Sequence, residues 1–504
     1  MKNLFYTMAA LLLPLWLTAQ TPFSCINASE IALQQARLRR NVDALPTAAQ
    51  RSVTYVPLRF HLVGETDGTG RIKMRRVLDQ LCSANDYFLD GNIQFYLYGS
   101  DLFGTSINST LVYDQPLESV SSLIMQNHKE PAAINIYSVG VNSDWASPLG
   151  DAGAYFSPLQ NWIVLARGTE SLGNIHLISH ELGHYFSLVH PFFGWDLPFN
   201  SSYPGWPQAP DAINGYPVEL MDGSNCTVAG DMICDTPPDY MLGTFDCAPY
   251  TGGALDPNGE LVDPMENNIM SYFFGCPDFM FTPGQFDVMT ADLNSPAQAN
   301  LDLNFTPAAT EIITPPDLLV SPTPSFYFPG NTNIQLDWLD VAGATHYLVE
   351  LDITPLYTTP LSLEYITTES QLLVPQALSP NKIYHWSVRP FNAYVGCAET
   401  MDGVFRTGPS STSVQTLTDG STLEAAPNPV SVEQSVQVRL SLARAAVCKL
   451  GVIDASGRLL AEEVRQMPSG ESTWPLSAET LAPGLNWIRL EVNGQTALLE
   501  IVRQ

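Results

Sequence analysis

Hydrophobic positions alternate with polar ones over residues 53–62 and again over 93–98, and between them residues 72–89 carry apolar side chains at helical spacing. A period of two places those side chains on one face of a pleated strand, and a period near 3.6 places them on one stripe of a helix. Apolar runs at 134–139 and 162–166 predict two further strands, and residues 284–293 predict a closing helix. Residues 30–42 are polar and helix-prone, with Arg37, Arg39 and Arg40 near their end. The first 300 residues or so thus predict a mixed sheet with a helix packed on it, leading into a helix that carries a histidine-rich stretch.

Beyond Pro307 the pattern turns β-like, with predicted strands at 334–338, 347–351, 384–388 and 404–407. Residues 409–424 are rich in Ser, Thr and Gly and read as a linker. The last 80 residues alternate again, with a turn at 454–457 and a hairpin centred on Asn493 and Gly494. The expected fold class is an α+β domain, a mixed twisted sheet plus an active-site helix, followed by two all-β sandwich domains.

A chain of 504 residues exceeds one ordinary core, and a hydrophobic content of 45% excludes wholesale disorder. A net charge of -29 excludes nucleic acid or an anionic membrane as a partner, since either demands a basic face. Lys2, the apolar stretch 8–17 and Thr18-Ala19-Gln20 have the order of a secretory signal over residues 1–20. Interrupted by Pro14, that stretch is short of the roughly 20 residues of a membrane span, and no later segment is long enough. Export permits disulfides among the eight cysteines, four of which fall between 226 and 276, where two local bridges are expected. Residues 21–51 read either as a pro-segment or as a flexible leader.

Three of the eight histidines lie within His180-Glu181-Leu182-Gly183-His184-Tyr185-Phe186-Ser187-Leu188-Val189-His190. Positions four apart on a helix differ by about 40° around its axis, so His180 and His184 project side by side and can ligate one ion. Glu181 lies beside them, placed to accept a proton as a bound water ionises. His190 can join only if the helix stops first. His176 reads as a satisfied or capping residue, because a catalytic metal needs a position open to water.

Together with Gly230-Asp231, Asp235-Thr236-Pro237, Asn268-Ile269-Met270-Ser271-Tyr272 and Phe281-Thr282-Pro283-Gly284-Gln285, this stretch resembles the pappalysin family of metzincin zinc metallopeptidases over residues 52–305. The resemblance implies an endopeptidase acting on proteins or peptides, with zinc on His180, His184 and His190 and Glu181 as general base and acid. It further implies Tyr272 as an oxyanion stabiliser, Met270 as the Met-turn beneath the metal, and substrate entering along the sheet edge near residues 162–166. Ser187 stands where the metzincin pattern has the glycine that makes the turn. The family also implies structural calcium with Asp231 and Thr236 as ligands, against the simpler alternative of an acidic turn crosslinked by cysteines. Cys25 is either a latency cysteine or the partner of Cys82.

Residues 306–408 resemble a fibronectin type III sandwich, and residues 425–504 resemble the C-terminal sorting domain of the type IX secretion system. Those likenesses imply that the secretion machinery is a partner and that the protein is exported by a Gram-negative bacterium, to its surface or the medium. The competing expectation is a surface adhesin whose metallopeptidase fold no longer cleaves.

Overall fold

The computed structural model describes residues 28–45, 52–103, 105–140, 153–166, 176–196, 208–243, 247–273, 275–323, 326–328, 330–408, 412–417, 419–426, 430, 435–454 and 457–503. The expected signal at 1–20 and Cys25 lie outside these residues. The chain divides into two compact units, Met1–Pro307 and Ala308–Gln504.

In the first unit α1 (Ala28–Asp43) is followed by β1 (Thr54–Gly64), α2 (Met74–Tyr87), β2 (Ile93–Leu97), β3 (Thr105–Asn108), α3 (Thr110–Asp114), α4 (Ser119–His128), β4 (Ile134–Val139), β5 (Ala154–Ser157) and β6 (Trp162–Ala166). The sheet runs β2-β1-β4-β6-β5, with β3 pairing the C-terminal half of β1. All pairs are parallel except β5 with β6. Both faces are covered here, so β1 and β4 are buried almost continuously along their length rather than at every second residue. Three elements follow: α5 (Leu177–Tyr185), a two-stranded ribbon of β7 (Ala212–Ile213) and β8 (Tyr216–Pro217), and α6 (Pro283–Leu293). Helix α5 packs on α2, β5 and β6, and α6 packs on α1.

Residues 162–166, near which the sheet edge was expected, form the strand next to it: they lie between β4 and β5, and among the described residues β5 ends the sheet on that side. A strand of four residues, all buried, has no alternation to betray it.

The second unit contains two separate β cores. In the first, a five-stranded sheet of residues 326–327, 401–406, 383–391, 346–352 and 363–367, in that order, accompanies a three-stranded sheet of 371–373, 335–338 and 319–321. Trp338, Tyr347, Tyr384 and Trp386 fill the core of these strands. The tail builds two four-stranded sheets around Trp474, Leu450 and Leu490. Asn493 and Gly494 both take positive φ, 50° and 76°, as a two-residue hairpin with this turn chemistry requires. The expected linker of 409–424 instead contains the strand 412–416 and the start of the strand 422–426, both paired into the first tail sheet. The polar composition hid Leu417 and Leu423, which are buried there, and Thr is at home on a half-exposed strand.

Cys226 bonds Cys234 and Cys247 bonds Cys276, as the local spacing led one to expect; Cys82 and Cys397 are also disulfide-bonded, and Cys448 is a buried free thiol. Oxidised cysteines fit an extracellular protein. Among the described residues no helix is long and apolar enough to cross a membrane.

Candidate metal centre

Residues Ile178 to Tyr185 of α5 are all buried, and the rings of His180 and His184 lie 4.7 Å apart one turn from each other. The helix then ends abruptly. Ser187 N–H donates to His184 O (3.0 Å) and Leu188 N–H to Gly183 O (3.0 Å). Those two bonds make a Schellman cap, whose left-handed position is filled by Ser187 at φ 75°. The reversal brings His190 back over the helix, with its Nε2 3.1 Å from that of His184. Ligand atoms of His180, His184 and His190 all lie within 4.8 Å of one another.

The other ring nitrogens decide the tautomers. His180 Nδ1 donates to Ile269 O (2.7 Å), His184 Nδ1 to Leu188 O (2.9 Å) and His190 Nδ1 to Asp196 Oδ2 (2.9 Å). Carbonyl and carboxylate oxygens can only accept, so each Nδ1 holds the proton and each Nε2 offers a lone pair to the common centre. Burial pushes His180 down to about 3 and His184 well below its usual value, with the His190 charge adding in both cases, so these rings are neutral and able to ligate. Three such lone pairs can hold a metal ion, and the donor set suits zinc with its fourth position left for water.

Glu181 sits at the same turn, with its carboxylate accepting from the Phe156 N–H of β5 and its Oε2 buried without a partner. Burial pushes its carboxyl up to about 8. His176 precedes the helix, stacked on Phe279 at 4.3 Å and outside the cluster.

Met270 underlies α5: a Cβ built on Gly183 would stand 2.5 Å from its sulfur. Tyr272 faces the rings from the same turn, 4.8 Å from His190 and 6.1 Å from His180, and packs on Phe192 at 4.7 Å. This turn is tied to α6. Asn268 and Gln285 exchange amide hydrogen bonds (3.1 and 3.2 Å), and Asn268 Oδ1 accepts from Met270 N–H (2.9 Å). Thr282 and Gln285 form a capping box on α6, while Asp235 accepts from Thr282 Oγ1 and Gly284 N–H (both 2.7 Å). The four motifs seen separately along the chain are therefore one hydrogen-bonded assembly.

Asp231 is wholly buried. Its Oδ1 accepts from Ile233 N–H (3.0 Å) and from Thr236 Oγ1 (2.8 Å), and its Oδ2 has no partner. A second buried carboxylate, Glu219, has an unpartnered Oε2 and is raised to about 9 by burial and then by the Asp231 charge; Asp231 itself is pushed up by burial to about 7. A Cβ on Gly230 would lie 2.2 Å from Glu219 Oε2 and 3.2 Å from Pro191 O, so an oxygen-lined cradle exists beside a residue with no side chain. Buried carboxylates in this state favour a hard cation such as calcium. Nothing in the sequence singled out Glu219. Asp196 carried one signal, its spacing of six residues beyond His190, and was missed.

No protein-family model matches the chain, and neither does any curated protein. Among solved structures, it is similar to a mutant of Tannerella forsythia promirolysin at 16% identity and TM-score 0.36, over 54% of this chain and 90% of that one. It is similar also to the chicken CNTN1 FN1–FN3 domains (13%, TM-score 0.15, 37% of this chain and 66% of that one) and to dimeric latent PorU from Porphyromonas gingivalis (13%, TM-score 0.15, 38% and 20%). TM-scores this low decide neither fold nor activity, so function rests on the geometry of the centre itself.

Proposed function

We propose that this protein is a zinc-dependent endopeptidase of the pappalysin type, exported from a Gram-negative bacterium through the type IX system. Its modules are a secretory signal (1–20), a segment 21–51, a catalytic domain (52–305), a fibronectin type III-like module (306–408) and a sorting tail (425–504). The observation that carries this is the tautomer pattern: three Nδ1 protons committed to acceptors, three Nε2 lone pairs turned to one point, and Glu181 beside them. A binding protein has no use for that combination. Ser187 was the feature favouring an inactive fold, and it adopts the required left-handed turn.

Zinc, when bound, supplies Lewis-acid polarisation. Glu181 takes the proton of the attacking water and carries it to the leaving amine, with the Phe156 N–H holding its carboxylate in place. Tyr272, beside His190, donates its hydroxyl to the developing oxyanion. An extended peptide substrate runs along β5, which ends the sheet next to Glu181 among the described residues. Glu219 and Asp231, with Thr236 orienting Asp231, would hold calcium, whose charge would keep the 219–236 loop in place.

The test is cleavage of a broad panel of proteins by the purified chain, its Glu181→Ala variant and a chelated sample, with zinc measured on each. Activity should follow zinc content, and Glu181→Ala should lose about 10²- to 10⁴-fold while keeping its zinc. Zinc-loaded protein that cuts nothing, or Glu181→Ala with full activity, would reject the assignment.

A further inference from the structure

Helix α1 presents its polar side to the protein interior. Glu30, Gln34, Arg37 and Asn41 follow at spacings of four, three and four, all on one face, and all are buried beside Leu38. Gln34 Nε2 donates to His184 O (2.6 Å) and Leu188 O (3.2 Å), and Arg37 Nη2 donates to Tyr185 O (2.7 Å) and Asp292 Oδ2 (2.9 Å). Asn41 Nδ2 donates to Ser187 Oγ (2.7 Å) and Asp292 Oδ1 (2.7 Å). Glu30 accepts from Ser157 Oγ on β5 (2.8 Å).

Two physical costs meet at this end of α5. A helix terminus leaves carbonyls open, and here they are buried, so each needs a donor. A non-glycine residue in the left-handed position costs roughly 1–2 kcal/mol, and a buried hydroxyl left unpaired roughly 1–3 kcal/mol more. Helix α1 answers both. Arg37 satisfies the carbonyl of Tyr185 and Gln34 adds a second donor to those of His184 and Leu188, with the Arg37 cation set at the negative end of the helix. Asn41 satisfies the one side chain whose turn a glycine would make unaided.

We propose that Asn41 is a positioning residue for the metal centre: its amide holds Ser187 in the left-handed turn that returns His190 to the helix, substituting for a glycine. Helix α1 is accordingly part of the folded catalytic unit and stays docked on it in the metal-binding form, whether or not the chain is cut between residues 45 and 52.

Because this rests on the proposed zinc site, the test is a double-mutant cycle with two readouts on the full chain. Zinc affinity is measured by competition with a chromophoric chelator, and exchange of the Leu188 amide is measured in chelated protein. Asn41→Ala should weaken zinc about ten- to a hundredfold, as loss of an outer partner does, and should speed Leu188 exchange. In a Ser187→Gly background the same substitution should change both by less than about threefold, because glycine needs no clamp. Loss of the Asn41–Asp292 bond is common to both backgrounds and cancels. Equal effects in the two backgrounds, or none in either, would overturn the proposal. If the parent chain fails to bind zinc, the zinc assignment falls, while the exchange readout still decides the role of Asn41. Mass spectrometry of the zinc-loaded species should find residues 28–43 present; full affinity without them would also overturn the proposal.

Discussion

The histidine cluster and the Glu219–Asp231 pair are both buried in the first unit, and they are satisfied in opposite ways. Around the histidines the protein supplies an acceptor for every Nδ1, and burial lowers His180 and His184, so the site is tolerable without its metal. Around the carboxylates it leaves Glu219 Oε2 and Asp231 Oδ2 buried without donors, and burial pushes both carboxyls up, so neither negative charge is compensated by the protein. A ligand set organised by the fold is suited to chemistry, whereas an acidic pair left without donors is suited to a cation that would steady the loop, as proposed above.

That contrast can be broken by calcium. Adding it at about a thousand times its Kd should stabilise the parent chain by about 4 kcal/mol against denaturant, and Glu219→Gln should remove that response. Removing zinc should cost activity with little loss of loop stability. If calcium leaves the unfolding midpoint unmoved, the pair is held by the fold alone.

His61 on β1 sharpens the histidine side. Asn135 donates its amide to Glu130 O and Ala133 O, so its Oδ1 accepts, and His61 therefore carries its proton on Nε2, the reverse of the cluster. Burial lowers His61 to about 4 from 6.5. A depressed folded value means the unfolded chain takes the proton first, so this contribution is whole above pH 6.5 and is lost as pH falls towards 4. The loss is about 3 kcal/mol at most. The difference in stability between the parent and His61→Asn should therefore shift over that window, and a difference independent of pH would show that His61 is not held neutral.

The smallest effect is expected at Gly183→Ala. Alanine gains about 1 kcal/mol of helix propensity, while its Cβ, 2.5 Å from Met270 Sδ, forces the sulfur aside at about 1–3 kcal/mol. The net loss should be about 1 kcal/mol in thermal unfolding, with a measurable drop in zinc affinity. A stabilised variant would mean that Met270 moves freely and is no floor to the site.

Much of this was legible along the chain. Strands β4 and β6 match the expected 134–139 and 162–166 residue for residue, and the helices of 30–42, 72–89 and 284–293 appear as α1, α2 and α6 with ends shifted by a few residues. Their apolar periodicity is local and long enough to read. Strands β3 and β5 were not, because four residues are too few to establish a period, and β5 is buried throughout. Helix α1 was seen as a helix but not as a buried one, since its inward stripe is polar and burial is ordinarily read from apolar positions.

The sequence by itself determined the histidine spacing, the glutamate beside it and the elements that carry them, because helical geometry converts four residues of separation into one face. Only the tertiary structure decided which nitrogen of each histidine faces the centre, since the acceptors come from Ile269, Leu188 and Asp196, and it alone paired Glu219 with Asp231. It also supplied Asn41 to the Ser187 turn across 146 residues of chain. Partners that meet only when distant segments pack leave no periodic trace in either segment.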